Sequence, residues 1–484
     1  MNHRYFQIRG VVEGFYGIFY TFPERNDLIR FIGEQGFNLY IYGPKNDRQH
    51  RARWREPYPP RFMQHFAETV AIAEQSGVNF CYAISPGVSM NYASEEDFLK
   101  LTSKLTDFFR LGVRSFSLFL DDIDPVLRYP EERERFSSFA EAQADLANRL
   151  FSWLKELDPQ CSLSLCPTDY HGIPPFSQGL YVLGQLLHPG IDIFYTGPKV
   201  CSPTITRADA AAFADIVNRP PLIWDNYPVN DLGMQSEIHL SPIRGRDPEL
   251  HEVVQGVVVN TMAQAEASKI ALATFAEYFR DPVGYNAEMA WLQALRQVAG
   301  DDSFLALYTF AENAQYSCLG VGDPAPIEVL AAEIIAGLNR NENRKELEAL
   351  VELESYLDKV DEACYHLKNL MDNLSLRNNL LQWIEALEHW IEVGRNITSI
   401  LRQEELENVE ERKLRSLREA LKSGQNHPKR VAGAALMPLA ERVLKVVEER
   451  REEASQVNPL DDSLDPELAE SGVSPVSLPG IYLG

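Results

Sequence analysis

Short apolar runs recur along the first 280 or so positions, and after each one the sequence switches to a helical period. The runs are YFQIRGVV (5–12), FNLYIYG (37–43), VNFCYAI (78–84), RSFSLFL (114–120), CSLSLC (161–166), IDIFYTG (191–197), PLIWDN (221–226) and GVVVN (256–260). Amphipathic segments such as RNDLIRFIGEQG (25–36) and DFLKLTSKLTDFFRLG (97–112) lie between them and end near a glycine, as helix C-termini prefer. Eight strand signals, each followed by a helix signal, over roughly the 250 residues such a fold occupies, predict an α/β fold: a parallel (β/α)8 TIM barrel. An open doubly wound sheet is the rival. It carries a glycine-rich phosphate turn after its first strand, whereas this strand runs into VVEGFYG, which is not GxGxxG.

A barrel of this kind carries its chemistry at the C-terminal ends of its strands. Here those ends read EGFYG, GPKND, SPG, DDID, PTDY, TGPK, WDN and NTM. Loops are polar in general, but that does not explain Asp, Asn, Lys and Tyr recurring at equivalent places.

Beyond about residue 300 the pattern is helical only. Leu350, Leu353, Leu357, Val360, Cys364, Leu367 and Met371 alternate spacings of three and four. Leu376, Leu380, Trp383, Leu387, Trp390, Ile397 and Leu401 nearly repeat this, with Gly394 in the missing place. These are the seams of a helical bundle. Segments 407–423 and 431–450 supply further helices, the last expected to kink at Pro438. The expected domains are a barrel over 1–300, an all-α helical bundle over 301–455 and an acidic, flexible tail over 456–484 rich in Ser and Pro.

The formal net charge of -24 argues against a nucleic-acid binder or a binder of anionic membranes, whose footprints are basic. The six cysteines form no CxxC pair and read as reduced, packed thiols. The N-terminal stretch lacks the features of a signal peptide, and no apolar run reaches membrane-span length. The expected location is cytoplasmic.

Three readings compete for DDID, with Asp121, Asp122 and Asp124. A metal cage needs regular ligand spacing and a downstream Glu, which do not follow, and no His pair has zinc spacing. A structural role would have the acids cap the next helix or pair with arginines such as Arg128. Acid/base catalysis uses two close carboxylates that do not both ionise easily, so that one stays protonated near neutral pH. Glycoside hydrolysis needs such a pair. Adjacent strand residues point to opposite faces, so both acids can face one pocket only where the strand breaks.

Taken together, GVVEGFYG (10–17), YIYGPKNDRQHRARWREPY (40–58), AISPG (83–87), FSLFLDDID (116–124), CPTDY (166–170), YTGPKV (195–200), IWDNYPVND (223–231) and GVVVN (256–260) resemble the β-N-acetylglucosaminidases of glycoside hydrolase family 84. The resemblance spans the barrel, roughly residues 5–280, with eight motifs in order; for the helical part it is only general. It implies a retaining, substrate-assisted exo-β-N-acetylglucosaminidase in which the substrate's own 2-acetamido oxygen closes on C1 to form an oxazoline. It needs no metal and no cofactor. By the same resemblance, Asp121 would accept the amide N–H and steady its developing charge. Asp122 would protonate the glycosidic oxygen and later deprotonate water.

The remaining site residues carry over one at a time. Gly14 would bring its carbonyl to a sugar hydroxyl, or is simply a turn glycine. Lys45 would bond a sugar hydroxyl, although lone lysines usually sit in solvent. Tyr170 would donate to the acetamido or oxazoline oxygen, or is a packed tyrosine. Asn226 would hold the polariser and acetamido region. Asp231 would take the 4- and 6-hydroxyls with Asn260 assisting, unless both are helix caps. Trp224 would wall the acetamido pocket or belong to the core. Asp124 is expected to be structural or to support the site from behind the residues that touch the sugar. Two departures stand out. Asn46 falls where many relatives carry a second acid, and Ile18-Phe19-Tyr20 falls where many carry Arg-Pro-Trp. The expected substrates are GlcNAc-bearing glycosides, glycopeptides or glycoproteins. The natural aglycone and the oligomeric state stay open, as do an endo-acting hyaluronidase-like enzyme and a catalytically retired glycan-binding or scaffold protein.

Overall fold

The computed structural model describes residues 5–315, 325–340 and 348–457. Eight parallel strands close into a barrel in sequence order. They are β1 (Ile8–Glu13), β2 (Leu39–Tyr42), β3 (Asn79–Ile84), β4 (Ser115–Phe119), β5 (Ser162–Cys166), β6 (Asp192–Tyr195), β7 (Leu222–Asp225) and β8 (Gly256–Asn260). Each lies at its expected run, β1 reaching one residue further, to Glu13. Helices α1 (Phe22–Glu34), α2 (Pro60–Gln75), α3 (Glu95–Arg110), α4 (Pro130–Arg135), α5 (Phe139–Leu157), α6 (Gln178–Leu186), α7 (Arg207–Val217) and α8 (Ala265–Arg280) surround it. Local chemistry sets their starts: the Thr21 hydroxyl and the Glu24 carboxylate form a reciprocal capping box on α1, and Ser94 caps α3.

Strand alternation divides the barrel core in two. Val12, Ile41, Phe119, Phe194, Trp224 and Val258 fill the barrel interior, while neighbours such as Val11, Leu118, Val257 and Val259 face the helices.

One expectation fails. No α-helix joins β7 to β8. Residues 226–255 cross as a long connection holding only two 3-10 turns, Leu232–Met234 and Leu250–Glu252. Proline and glycine interrupt this stretch, and its apolar residues Ile238 and Leu240 lack helical spacing. They pack instead into the core of the helical domain.

That second core is built by α9 (Ala287–Ala299), α10 (Phe304–Ala311), α11 (Pro326–Asn339), α12 (Glu348–Asn369), α13 (Leu374–Leu401), α14 (Glu411–Asn426) and α15 (Gly433–Val457). Every residue of the two seams is buried, Gly394 included, against which Leu357 packs. Helix α15 runs through Pro438. The acidic tail lies outside the described residues except for its first two, which end α15. Cys81, Cys161, Cys166 and Cys364 are free and buried; Cys318 lies outside the described residues. No helix among the described residues is long and apolar enough to cross a membrane.

Candidate active site

The C-terminal ends of seven of the eight strands converge on one cavity of about 180 Å³. Gly14 and Tyr16 come from the end of β1, Lys45 from β2, Asp121 and Asp122 from β4, Cys166 and Tyr170 from β5, Thr196 and Val200 from β6, Trp224, Asn226 and Asp231 from β7, and Asn260 from β8. The end of β3 contributes no lining residue; a Cβ at Gly87 just beyond it would stand 2.5 Å from Ile123 Cδ1. A second cavity of about 200 Å³ lies between the loops after β4 and β5 and helices α5 and α6. Its one carboxylate, Asp169, accepts from the Ser177 hydroxyl at 2.6 Å.

The strand β4 stops at Phe119, and three residues later Asp122 adopts a left-handed backbone, φ +54°. This reversal lets consecutive carboxylates share a cavity, which an extended strand forbids. Such a conformation is costly for a residue with a Cβ and needs support. Arg51 supplies it, donating from Nη2 to the Asp122 carbonyl at 2.9 Å.

The two acids are treated differently. Asp121 is buried, and its Oδ2 is ion-paired with the Lys45 ammonium. Its Oδ1 is buried and has no hydrogen-bond partner among the described residues. Burial alone would pull the Lys45 ammonium down, but Asp121 and Asp122 outweigh it and hold the group above its ordinary value. Asp122 is exposed, and each of its oxygens accepts from a phenol: Oδ2 from Tyr16 at 2.9 Å, Oδ1 from Tyr170 at 3.1 Å. Burial, then the charge of Asp122, pushes the Tyr170 hydroxyl well up, so it remains a donor. Arg51 Nη1 donates to the Tyr16 hydroxyl at 2.7 Å, so Arg51 grips both the backbone and the orienting phenol of Asp122.

Gly14 is required by close approach: a Cβ there would stand 2.5 Å from the Trp224 ring. Its N–H donates to Asn260 Oδ1 at 3.2 Å, and Asn260 Nδ2 donates to Asn226 Oδ1 at 2.9 Å. The same Asn226 oxygen accepts from Trp224 Nε1 at 2.9 Å, and Asn226 Nδ2 donates to the Val200 carbonyl at 2.7 Å. Asn226 therefore braces Trp224 and Asn260 and makes no bond to Asp121. Trp224 is at once core and cavity wall. Asp231 precedes the 3-10 turn without a side-chain cap bond; its Oδ2 accepts from the Tyr16 N–H at 2.8 Å. Burial raises its carboxyl, with the charge of Asp122 adding to the effect. Asn260 bonds Gly14 and Asn226, with no bond to Asp231. Asp124 is exposed and outside the cavity lining. Arg128 pairs with none of the three acids; its guanidinium reaches the Gly87 and Val88 carbonyls. Asn46 accepts from the Gly17 N–H at 3.1 Å, and Ile18 is 88% exposed.

Sequence reasoning missed Tyr16 and Arg51. Tyr16 sat inside a quoted motif, and only its place beside Gly14 at a strand end marked it; Arg51 is one of four arginines in RQHRARWRE with nothing to single it out. Among the described residues no group of three or more His, Cys, Asp or Glu is arranged to hold a metal ion.

Comparison with known proteins places this geometry. Residues 9–312 match the family model described as beta-N-acetylglucosaminidase. The rat and mouse proteins named Protein O-GlcNAcase are each 37% identical over 276 residues, 56% of this chain. The chain spans only 30% of the length of either. Among solved structures, an aspartate-to-asparagine variant of the Thermobaculum terrenum O-GlcNAc hydrolase is 34% identical, with a TM-score of 0.86 over 93% of this chain and 97% of that one.

Proposed function

Because the chain belongs to the β-N-acetylglucosaminidases of glycoside hydrolase family 84, we propose that it is a retaining exo-β-N-acetylglucosaminidase that removes terminal β-linked GlcNAc with the help of the substrate's own acetamido group. The observation that carries this reading is the asymmetry of the acid pair: a buried carboxylate with one oxygen tied to Lys45 and the other unpartnered, next to an exposed carboxylate oriented by two phenols.

Asp121 Oδ1 accepts the acetamido N–H. Taking that proton's hydrogen bond raises electron density on the amide oxygen, which attacks C1. The C1–O bond to the aglycone breaks as Asp122 delivers its proton to the leaving oxygen. Positive charge then spreads over the oxazoline ring, and the Asp121 carboxylate opposes it in a setting already desolvated. Tyr170, whose one phenol proton goes to Asp122 Oδ1 before substrate binds, turns it to the acetamido oxygen in the complex. In the second half, Asp122 takes a proton from water as the oxygen of that water attacks C1. The amide oxygen leaves C1, and the product is GlcNAc with its configuration retained. Asp231 and Lys45 contact ring hydroxyls, and the Gly14 carbonyl, held by the Trp224–Asn226–Asn260 brace, takes another.

A cavity of about 180 Å³, against the roughly 300–1,000 Å³ of common ligand clefts, suits one terminal sugar better than a polymer, which favours exo- over endo-action. GlcNAc-modified proteins and peptides are the substrates proposed, by analogy with the names of the relatives. The test is release of the aryl alcohol from an aryl β-N-acetylglucosaminide beside the matching β-glucoside. Cleavage of the acetamido sugar alone supports the proposal. Equal cleavage of both points to an enzyme nucleophile and overturns the role of Asp121; cleavage of neither by folded protein overturns the proposal.

A further inference from the structure

The connection that replaces a helix between β7 and β8 has two faces. Toward the barrel axis it lines the cavity with Asn226, Asp231, Leu232 and Met234. On its other face the helical domain holds its backbone. Lys429 Nζ donates to the Gln235 carbonyl at 2.7 Å. Trp383 Nε1 donates to the Ser236 carbonyl at 2.9 Å, and the Arg430 N–H donates to the same oxygen at 2.8 Å. Further along, Trp291 Nε1 donates to the Leu240 carbonyl at 2.6 Å. The Lys429 ammonium also stands 4.3 Å from the centre of the Trp383 ring, so the two donors brace each other.

The gripped carbonyls are close to the sugar-facing acid. The Met234 N–H donates to the Asp231 carbonyl at 2.9 Å, making residues 231–234 one tight turn ending next to Gln235. Within the turn Leu232 has φ +48° and is 62% exposed, a strained backbone that its own side chain does not anchor. On the cavity side the Asp231 carboxylate is held by the Tyr16 N–H. The turn's conformation therefore depends on what holds its far end.

Resting on the function proposed above, we propose that the helical domain is a positioning element for the sugar site: Lys429 and Trp383 hold the backbone at Gln235 and Ser236 and through that turn set Asp231 against the sugar. An interaction present in both bound substrate and transition state affects KM more than kcat.

The test compares wild type with Lys429→Met, which keeps the apolar stem and removes the donor, and with Lys429→Arg, which keeps a donor. Hydrogen exchange is followed in peptides covering 231–237, and kinetics are measured on an aryl β-N-acetylglucosaminide. For Lys429→Met the expected result is about tenfold faster exchange in that segment alone, and a KM about five- to tenfold higher with kcat within about twofold. Lys429→Arg should return most of both. In an Asp231→Ala background the KM effect should disappear, because coupled residues are not additive. Unchanged exchange in Lys429→Met overturns the proposal, as does a KM effect of full size without Asp231. Trp383→Phe, which loses the N–H and keeps the ring, should repeat the exchange result. A wild-type protein that cleaves no such substrate would overturn the functional reading instead, and the exchange comparison would still decide whether the clamp exists.

Discussion

Glu13 and Asp121 are both buried carboxylates beside a buried cation at the same end of the barrel, and their bonding differs. Glu13 receives four donors: Arg25 Nε at 2.7 Å, Arg25 Nη2 at 3.0 Å, the Tyr20 N–H at 3.0 Å and the Tyr40 hydroxyl at 2.6 Å. That fills the roughly four acceptor sites of an ionised carboxyl. Burial would pull the Arg25 guanidinium down, but Glu13 more than offsets it and raises it. Asp121 has Lys45 on one oxygen and nothing on the other. Asp47, with the Tyr42 and Tyr58 hydroxyls, and Asp225, with Arg246, resemble Glu13. An unmet buried acceptor costs stability, so a fold that gives each oxygen of Glu13, Asp47 and Asp225 at least one donor leaves Asp121 Oδ1 open at the expense of stability. The contrast teaches that saturation, more than burial or charge pairing, separates an acid that holds the barrel from one kept for a ligand.

The comparison can be broken by substitution, beginning with the largest expected effect. Asp122→Ala should lower kcat/KM by about 10²–10⁴ on poor leaving groups and much less on activated aryl glycosides; equal damage across a leaving-group series would remove its acid role. Glu13→Ala strands Arg25 and should cost about 3–5 kcal/mol in urea unfolding, whereas a loss of activity without a loss of stability would put Glu13 on the wrong side of the comparison. Asp121→Ala should cost about 10²–10³ in turnover whatever the leaving group, with the thermal midpoint falling less than in Glu13→Ala.

The smallest effect concerns Asp231. A carboxyl raised in the folded state binds protons more tightly there than when unfolded. Its contribution to stability is therefore present at low pH and is lost as pH rises through the folded value. Asp231→Asn should accordingly raise the thermal midpoint slightly at neutral pH while raising KM. The wild-type KM should also climb on the acid side at a pH above the ordinary aspartate value, and this climb should vanish in Asp231→Asn.

The barrel was legible because parallel strands buried on both faces read as continuous apolar runs, and the bundle because its two seams repeat regularly. The connection after β7 was misread because a polar, proline-containing stretch looks alike whether or not a helix interrupts it; what sets its path is the bundle, far away in sequence. At the site, the acid pair stood out as adjacent carboxylates at a strand end. The left-handed turn at Asp122 did not, since nothing in DDID marks it, and its support comes from Arg51, 71 residues upstream. Glu13 and Gly14 are neighbours in one motif, yet one is saturated and the other faces the cavity, a difference that only the positions of Arg25, Tyr20 and Tyr40 create.

The central claim is that the unpartnered oxygen of Asp121 serves the substrate's own nucleophile. The direct measurement is turnover of aryl glycosides whose 2-acetamido group carries zero, one, two or three fluorines. Each fluorine withdraws electrons from the amide oxygen and leaves the leaving group unchanged. The account predicts that kcat/KM falls steadily along the series. A flat series would contradict it, because the amide oxygen would then take no part in the step that Asp121 is held open to assist.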